Sequence, residues 1–351
     1  MPVVKHSYLV RDVKDLSRII KEAFHLASSG RPGPVLVDLP KDVVSEEWNE
    51  DFSAKIELPG YQVQSNGDSA NIKKVAELLA KSKRPLLYVG AGSVISGASK
   101  QVLILAEKLQ APVTTTLLGK GGFSEKHPLS VGMLGMHGTA YANKTVVDCD
   151  LIMSIGARWD DRITGKVSEF CTNATKIHID IDPAEFGKII NPDVSVNGDV
   201  AAVLDELIPQ VKKLNSKDWL KKIEMWKKKH PLKYPKRGGL RAQHVLAELD
   251  RLTNSKAVIS TDVGQHQMWA AQFCKSTRER QWLSSGGAGT MGYGFPAAIG
   301  AQLGKPKELV VAVVGDGGFQ MTMSELATAA IHKLPIKILI INNRYLGMVR
   351  Q

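Results

Sequence analysis

Two short stretches of the chain could hold a metal ion and a phosphate together. In "VVGDGGFQMT", Gly315, Asp316, Gly317 and Gly318 close an apolar run, and in "ILIINNRYLG" a second apolar run ends on Asn343. A carboxylate and an amide carbonyl are hard oxygen donors of the kind Mg²⁺ or Ca²⁺ takes, and Mg²⁺ leaves positions open for phosphate oxygens. Glycines beside them let main-chain N–H groups approach a phosphate closely. The plainer alternative is a tight turn followed by an Asn cap. "GDG" alone does not separate the two; its pairing with "NN" at this spacing, both after strands, favours the metal and phosphate.

Other polar clusters also follow apolar runs. "TDVGQHQMW" offers Gly264, Gln265 and His266 to a diphosphate; His266 could instead be a general base or a satisfied loop histidine. "SSGGAGTMGYGFPAAIG" embeds the bulky Met291 among five glycines ahead of a helix, which suits a rigid loop better than a flexible one. Earlier in the chain, "VGAGS" (89–93) puts Gly92 after a strand, where a glycine suits close approach to a dinucleotide. "GARWDDRITG" sets Gly156, Arg158, Asp160 and Arg162 at another strand end, and arginine forks suit phosphate or ribityl oxygens. Asp180 in "HIDIDP" is a ribose-type partner, and "NGDV" adds Gly198 and Asp199. A surface salt-bridge loop is the alternative for the arginines, and a buried structural histidine for His137. Three polar strand ends in one unit favour an adenine-dinucleotide site. From the residues alone that is NAD, although nothing supplies a hydride-transfer site.

These residues need strands to carry them. Residues 309–314 and 336–341 are apolar without alternation, as in strands buried on both faces, and 322–332 has helical spacing. A strand, helix and strand of these lengths make a parallel βαβ unit whose carboxyl ends lie side by side, where open α/β sheets bind ligands. Further strands are expected at 257–261 and 281–283, and upstream at "RPLLYVG", 113–117, 151–155 and 176–181, with a helix over 71–82. A first helix (13–29) and strand (35–39) are too little for a core. The organisation expected is a domain tail (1–44), a linker (45–70), a central α/β domain (71–210), a lysine-rich connector (211–238) and a last α/β domain (239–351). The fold class is α/β, successive doubly wound parallel-sheet domains.

Bulk properties narrow the class. The chain has 351 residues, 43% hydrophobic and 23% charged, ordinary for a globular protein of two or three domains. No apolar run approaches a membrane span, and "MPVVKHSYLVRDVKD" resembles neither a signal nor a transit peptide. The cysteines, Cys149, Cys171 and Cys274, are odd in number and far apart in sequence, which fits a reducing compartment. Of the net charge of +11, +9 falls in 211–237, with ten Lys and one Arg against Asp218 and Glu224. Trp219, Ile223 and Trp226 recur there at helical spacing. An amphipathic helix with a solvated lysine face is expected rather than a nucleic-acid arm.

GDG followed by NN at this distance resembles the diphosphate-and-metal motif of thiamine-diphosphate enzymes. "GGAGTMGYGFPAAIGAQ", "DVGQHQMWAAQ", "MLGMHGTAYAN", "GARWDDRITG" and "SGRPGPVLVDLPKDV" resemble the acetolactate synthase (acetohydroxyacid synthase) large-subunit family, in the same order from Pro2 to Gln351. The resemblance implies decarboxylation of pyruvate and condensation of the hydroxyethyl unit with a second pyruvate or 2-ketobutyrate, the first common step towards valine, leucine and isoleucine. It implies thiamine diphosphate held by Val263, Gly264, Gln265, His266, Gly289, Met291, Gly315, Asp316, Gly317, Gly318, Asn343, Tyr345, Gly347 and Met348. Mg²⁺ would be bound by Asp316, Asn343 and the Tyr345 carbonyl. It turns the dinucleotide from NAD to a structural FAD, contacted by Arg31, Met136, His137, Gly156, Arg158, Asp160, Arg162, Asp180, Ile181 and Asp199, with Gly92, Thr115 and Gly198 beside them. It implies a homodimer or homotetramer, a possible small regulatory subunit, no nucleic acid and no membrane. The location implied is bacterial cytoplasm, or an organelle's stroma or matrix. Glyoxylate carboligase, pyruvate oxidase and a non-catalytic nucleotide-binding module are the alternatives. The glutamate that activates the pyrimidine belongs to an N-terminal portion absent from this sequence, and the family continues beyond Gln351. The chain is therefore expected to be part of a subunit and inactive alone. The two cofactor sites fall on different α/β units and should respond independently to substitution.

Overall fold

Apolar runs without alternation become strands of parallel sheets. The computed structural model describes residues 3–49, 53–235 and 238–350. Residues 50–52 of the expected linker, 236–237 of the connector and both chain ends (1–2 and 351) lie outside the described residues. Twelve strands form three sheets among the described residues. The first pairs β1 (His6–Leu9) with β2 (Val35–Asp38). The second has β3 (Pro85–Val89), β4 (Val113–Thr115), β5 (Ser130–Met133), β6 (Leu151–Ile155), β7 (Thr175–Asp180) and β8 (Val194–Asn197), in the order β5-β4-β3-β6-β7-β8. The third has β9 (Val258–Thr261), β10 (Trp282–Ser284), β11 (Val310–Gly315) and β12 (Lys337–Ile341), in the order β10-β9-β11-β12. Every pairing is parallel.

In both larger sheets the strand order reverses at an interior point, between β3 and β6 and between β9 and β11. There the connections leave in opposite directions and a crevice opens at the carboxyl ends. The β11–β12 register pairs Gly315 with Ile341, so the GDG and NN segments emerge side by side. The central strands β3, β6 and β11 are buried along their whole length.

Several elements differ from expectation. The first segment contains β1, whose polar-rich "HSYL" gives little strand signal; a helix (Leu16–Ser28) joins it to β2. The helix expected over 322–332 begins six residues earlier. Asp316–Thr322 is helical, and a 3₁₀ turn separates it from Leu326–Ile331. β5 and β8 lack long apolar runs and gave no signal. Cys149 and Cys171, distant in sequence, meet in the central unit. Both thiols lie on the Val146 carbonyl, at 3.1 and 3.3 Å, and all three cysteines are free. Hydrogen bonding to Cys171 and burial push the Cys149 thiol well above its ordinary pKa.

The connector helix (Lys217–Lys229) buries Trp219 and Ile223 against the core of the central unit, with Leu86, Tyr88 and Ile152. The Trp219 indole N–H donates to the Pro85 carbonyl at 3.1 Å, while Lys228 and Lys229 stay exposed. The second and third sheets share a core: Met133 of β5 packs with Leu246, Ala257, Ile259 and Val311, flanked by Leu117. No described helix is long and apolar enough to cross a membrane. We expect Ile223→Ala to lower unfolding free energy by about 2–5 kcal/mol. Lys228→Gln should change it by less than about 0.5 kcal/mol. Urea denaturation of both variants tests whether this helix is held by its apolar side.

Candidate functional site

A cavity of about 200 Å³ opens at the carboxyl ends of β9, β11 and β12. Four segments line it. Val263, Gly264, Gln265 and His266 follow β9; Gly289 and Met291 come from the glycine loop after β10; Gly315, Asp316, Gly317 and Gly318 end β11 and open its helix; Asn343, Tyr345, Gly347 and Met348 follow β12. The structure thus brings together all fourteen residues singled out for this site. Ile341, Leu346 and Val349 also line it. Ile341, at the end of β12, reads first as core, and Leu346 and Val349, which follow it, carry no polar group to mark them.

The glycines of GDG are not turn residues. None of Gly315, Gly317 and Gly318 has a positive φ; what matters is the missing Cβ. Built at Gly318 it would lie 1.6 Å from Asp262 Oδ2, and at Gly315 2.9 Å from His266 Nδ1. At Gly317 it would meet the Met291 methyl at 3.3 Å, and at Gly347 the Gln265 Oε1 at 2.2 Å. Gly289 (φ +70°) and Gly292 (φ +83°) do need the left-handed region. The loop they belong to is braced. The Gly289 N–H donates to the Ser285 carbonyl at 2.8 Å, and the Ser285 hydroxyl to the Thr290 carbonyl at 2.8 Å.

Asp262, which the sequence reading did not single out, organises this floor. It is fully buried at the end of β9. Its Oδ1 is hydrogen-bonded to His266 Nε2, and its Oδ2 accepts the Gly292 N–H at 3.2 Å. His266 is therefore a fixed wall of the cavity, its Nε2 committed to Asp262 and its Nδ1 turned to Gly315. An Asp directly after an apolar strand, four residues before a His in "TDVGQH", was the available signal.

Both asparagines of "NN" bend the backbone. Asn342 Oδ1 accepts the Arg344 N–H at 2.9 Å and Asn343 Oδ1 the Tyr345 N–H at 3.0 Å, with Arg344 left-handed at φ +59°. The Asn343 Nδ2 donates to Gln265 Oε1 at 3.1 Å, which fixes the amide's orientation. A second lone pair on Asn343 Oδ1 remains for a cation. No cluster of three or more His, Cys, Asp or Glu able to hold a metal occurs among the described residues. A cation at this site would rest on the half-buried Asp316, the amide and a main-chain carbonyl, an all-oxygen set fitting Mg²⁺.

The second set of candidates divides. Met136, His137, Arg158, Asp160 and Arg162 come together on the loops after β5 and β6. The Met136 N–H donates to the Arg162 carbonyl at 2.9 Å, and Arg158 pairs with Asp160 at 3.5 Å. Burial, and then the nearby Arg162 charge, depress the His137 pKa below its ordinary value. Thr115, at the end of β4, has a buried hydroxyl with no hydrogen-bond partner. The remaining candidates have tasks within the fold. Gly92 and Gly156 press two strand-end loops together, with the Gly92 N–H on the Gly156 carbonyl at 2.9 Å. A Cβ on Gly156 would lie 2.7 Å from Gly92 Cα. The glycines of "VGAGS" therefore serve backbone-to-backbone packing. Gly198 fits against the Gly67 N–H in the same way, at 2.9 Å from its would-be Cβ. Asp199 caps the helix Val200–Gln210 and accepts the Ser96 hydroxyl at 2.8 Å. Asp180 Oδ1 accepts the Asp182 N–H at 2.9 Å, and the Ile181 carbonyl accepts Asn197 Nδ2 at 3.1 Å. Arg31 is engaged by Glu185 at 2.6 Å and Asp182 at 3.1 Å.

Two family models match parts of the chain. Residues 72–207 match the family "Thiamine pyrophosphate enzyme, central domain", and 262–351 match "Thiamine pyrophosphate enzyme, C-terminal TPP binding domain". The chain is 50% identical to the acetolactate synthase large subunit of Porphyra purpurea, over 100% of this chain and 61% of that protein. It is 48% identical to that of Cyanidium caldarium, over 100% of this chain and 62% of that protein. It is 46% identical to a probable acetolactate synthase large subunit of Methanocaldococcus jannaschii, again over 100% and 62%. The chain thus spans about three-fifths of the length of these relatives. With the α/β sheets and strand-end cavity in place, these matches make the chain a member of the thiamine pyrophosphate enzyme family, homologous to acetolactate synthase large subunits.

Proposed function

We propose that the chain supplies the cofactor-binding part of an acetolactate synthase large subunit, which joins two 2-keto acids with loss of CO₂ on the route to branched-chain amino acids. The observation that carries this reading is the cavity at the third sheet's switch point, whose floor has no room for a Cβ. Gly315, Gly317 and Gly318 would let main-chain atoms reach a diphosphate, and Asp316, Asn343 and the Tyr345 carbonyl would hold the Mg²⁺ that neutralises it. Bound there, thiamine diphosphate supplies a thiazolium carbon that acts as nucleophile and electron sink. Met291 lines the cavity with its methyl against Gly317, and Asp262, through His266 and Gly292, ties the segment after β9 to the glycine loop. FAD is assigned to the central unit on the loops of Met136, His137, Arg158, Asp160 and Arg162. The partnerless Thr115 hydroxyl supports it, as a buried hydroxyl costs about 1–3 kcal/mol until satisfied. Assembly as a homodimer or homotetramer in a bacterial cytoplasm or an organelle belongs to the same reading.

Titration calorimetry of the chain with thiamine diphosphate and Mg²⁺ tests the assignment. We expect saturable, Mg²⁺-dependent binding, and its absence in the folded chain would overturn the reading. Asp316→Ala should weaken that binding by at least about 100-fold, because a direct metal ligand outweighs the outer-shell groups whose loss costs about 10–100-fold. Gly318→Ala drives a methyl into the Asp262 carboxylate. It should lower stability by about 1–3 kcal/mol in urea denaturation.

A further inference from the structure

The helix Gln265–Phe273 reaches from one set of strand ends to the other. Its first turn, Gln265 and His266, lines the thiamine-side cavity. From its last turn Gln272 extends into the central unit, and its Nε2 donates to the His137 carbonyl at 3.0 Å. One residue earlier, the Ala271 carbonyl accepts the Lys120 ammonium at 2.9 Å. Lys120 is fully buried and paired with Glu125 at 2.5 Å. It belongs to the segment leaving β4 just after Thr115, while His137 belongs to the one leaving β5. Both flavin-side segments therefore grip the same helix. Gln265 and Gln272 are seven residues apart, about 10 Å along the axis. A helix bonded along its length does not stretch over that distance, so a shift at one end moves the other.

We propose that this helix couples the two cofactor sites, with Gln272 as the positioning residue that sets the His137 loop from the thiamine side. The proposal rests on the assignment of both sites above. It runs counter to the expectation that two sites on separate α/β units respond independently. A diphosphate that engages Gln265 settles the start of the helix whose Gln272 amide holds the His137 carbonyl. By linkage, each cofactor then tightens the other by the same factor.

Two substitutions in the full chain test it. Gln272 and His137 both line an interdomain cavity of about 480 Å³. Water can therefore satisfy the carbonyl when the amide is gone, and the fold survives. Gln272→Ala removes the donor. Gln272→Glu keeps the shape, but its carboxylate donates nothing when ionised. FAD affinity is read by flavin fluorescence with and without thiamine diphosphate and Mg²⁺, and thiamine-diphosphate affinity by calorimetry with and without FAD. In the wild-type chain each cofactor should tighten the other about fivefold or more, by equal factors. Both variants should still bind each cofactor alone, with the factor reduced to about one. A wild-type factor of one, or a Gln272→Glu variant that couples like wild type, overturns the proposal. Failure of the wild-type chain to bind one cofactor overturns that site's assignment instead.

Discussion

The buried Asp262 carboxylate is the point on which the thiamine-side cavity depends. A carboxylate out of water costs several kcal/mol unless its oxygens are met. Here one oxygen is met by the His266 imidazole and the other by the Gly292 N–H. Those two partners belong to different segments, one in the first turn of the helix after β9 and the other in the glycine loop after β10. The third neighbour, Gly318, must come close enough that a Cβ would overlap the carboxylate. One charge thus fixes the spacing of three segments far apart in sequence. It does so at the carboxyl end of β9, where neighbouring connections diverge and the backbone alone would leave a gap.

A second constraint is that the two large sheets are not separate bodies. Met133 of the central sheet is buried among residues of the third. Lys120 is enclosed between them, with its ammonium 5.3 Å from the centre of the Trp282 ring as well as on Glu125 and Ala271. A lysine so enclosed is tolerable because its charge is paired, two of its protons are hydrogen-bonded and a ring face lies against it. Separating the units would expose apolar surface and strip that ammonium of two partners. The relative position of the two sets of strand ends is set by the same forces that hold each unit together.

How much of this could be read in the sequence depended on the kind of signal. β6 was legible to the residue, because five consecutive apolar or small side chains buried on both faces leave no other reading. Much of the cavity's lining was legible because Gly315, Gly317, Gly318 and Gly347 stand where a Cβ would collide, so the segments read as glycine-rich strings after apolar runs. Asp262 was not legible: its partners are set by the third dimension, and an acidic residue at a strand end has many uses. Gly92, Gly156 and Gly198 were legible as close approaches but not as to what approaches. A glycine gives the same signal whether a ligand or another backbone lies against it, and here the partners are Gly156, Gly92 and Gly67. β1 and β5 were missed because short strands with mixed polarity owe their state to pairing, not to their own pattern.

The first unit shows the opposite balance between core and tether. Its two strands and their helices bury Val10, Val13, Ile19, Ala23, Leu26 and Val43, while Leu9, Phe24, Leu36 and Leu39 remain exposed. Two parallel strands bury too little to be stable by themselves. Polar ties hold this unit to the next segment and to the central unit. The Lys5 ammonium donates to the Leu26 and Ser29 carbonyls and the Tyr61 hydroxyl, at 2.6, 2.7 and 2.8 Å, which uses all three of its protons. Buried Glu22 pairs with Arg18 and accepts the Glu57 N–H at 3.1 Å. Arg31 reaches across to Glu185 of the central unit. The ties to Tyr61, Glu57 and Glu185 join residues distant in sequence, and each fails once one partner moves by an ångström or two, because hydrogen bonds are short-ranged and directional. The central and third units hold together by a shared interior, whereas directed polar contacts tie this one to its neighbours.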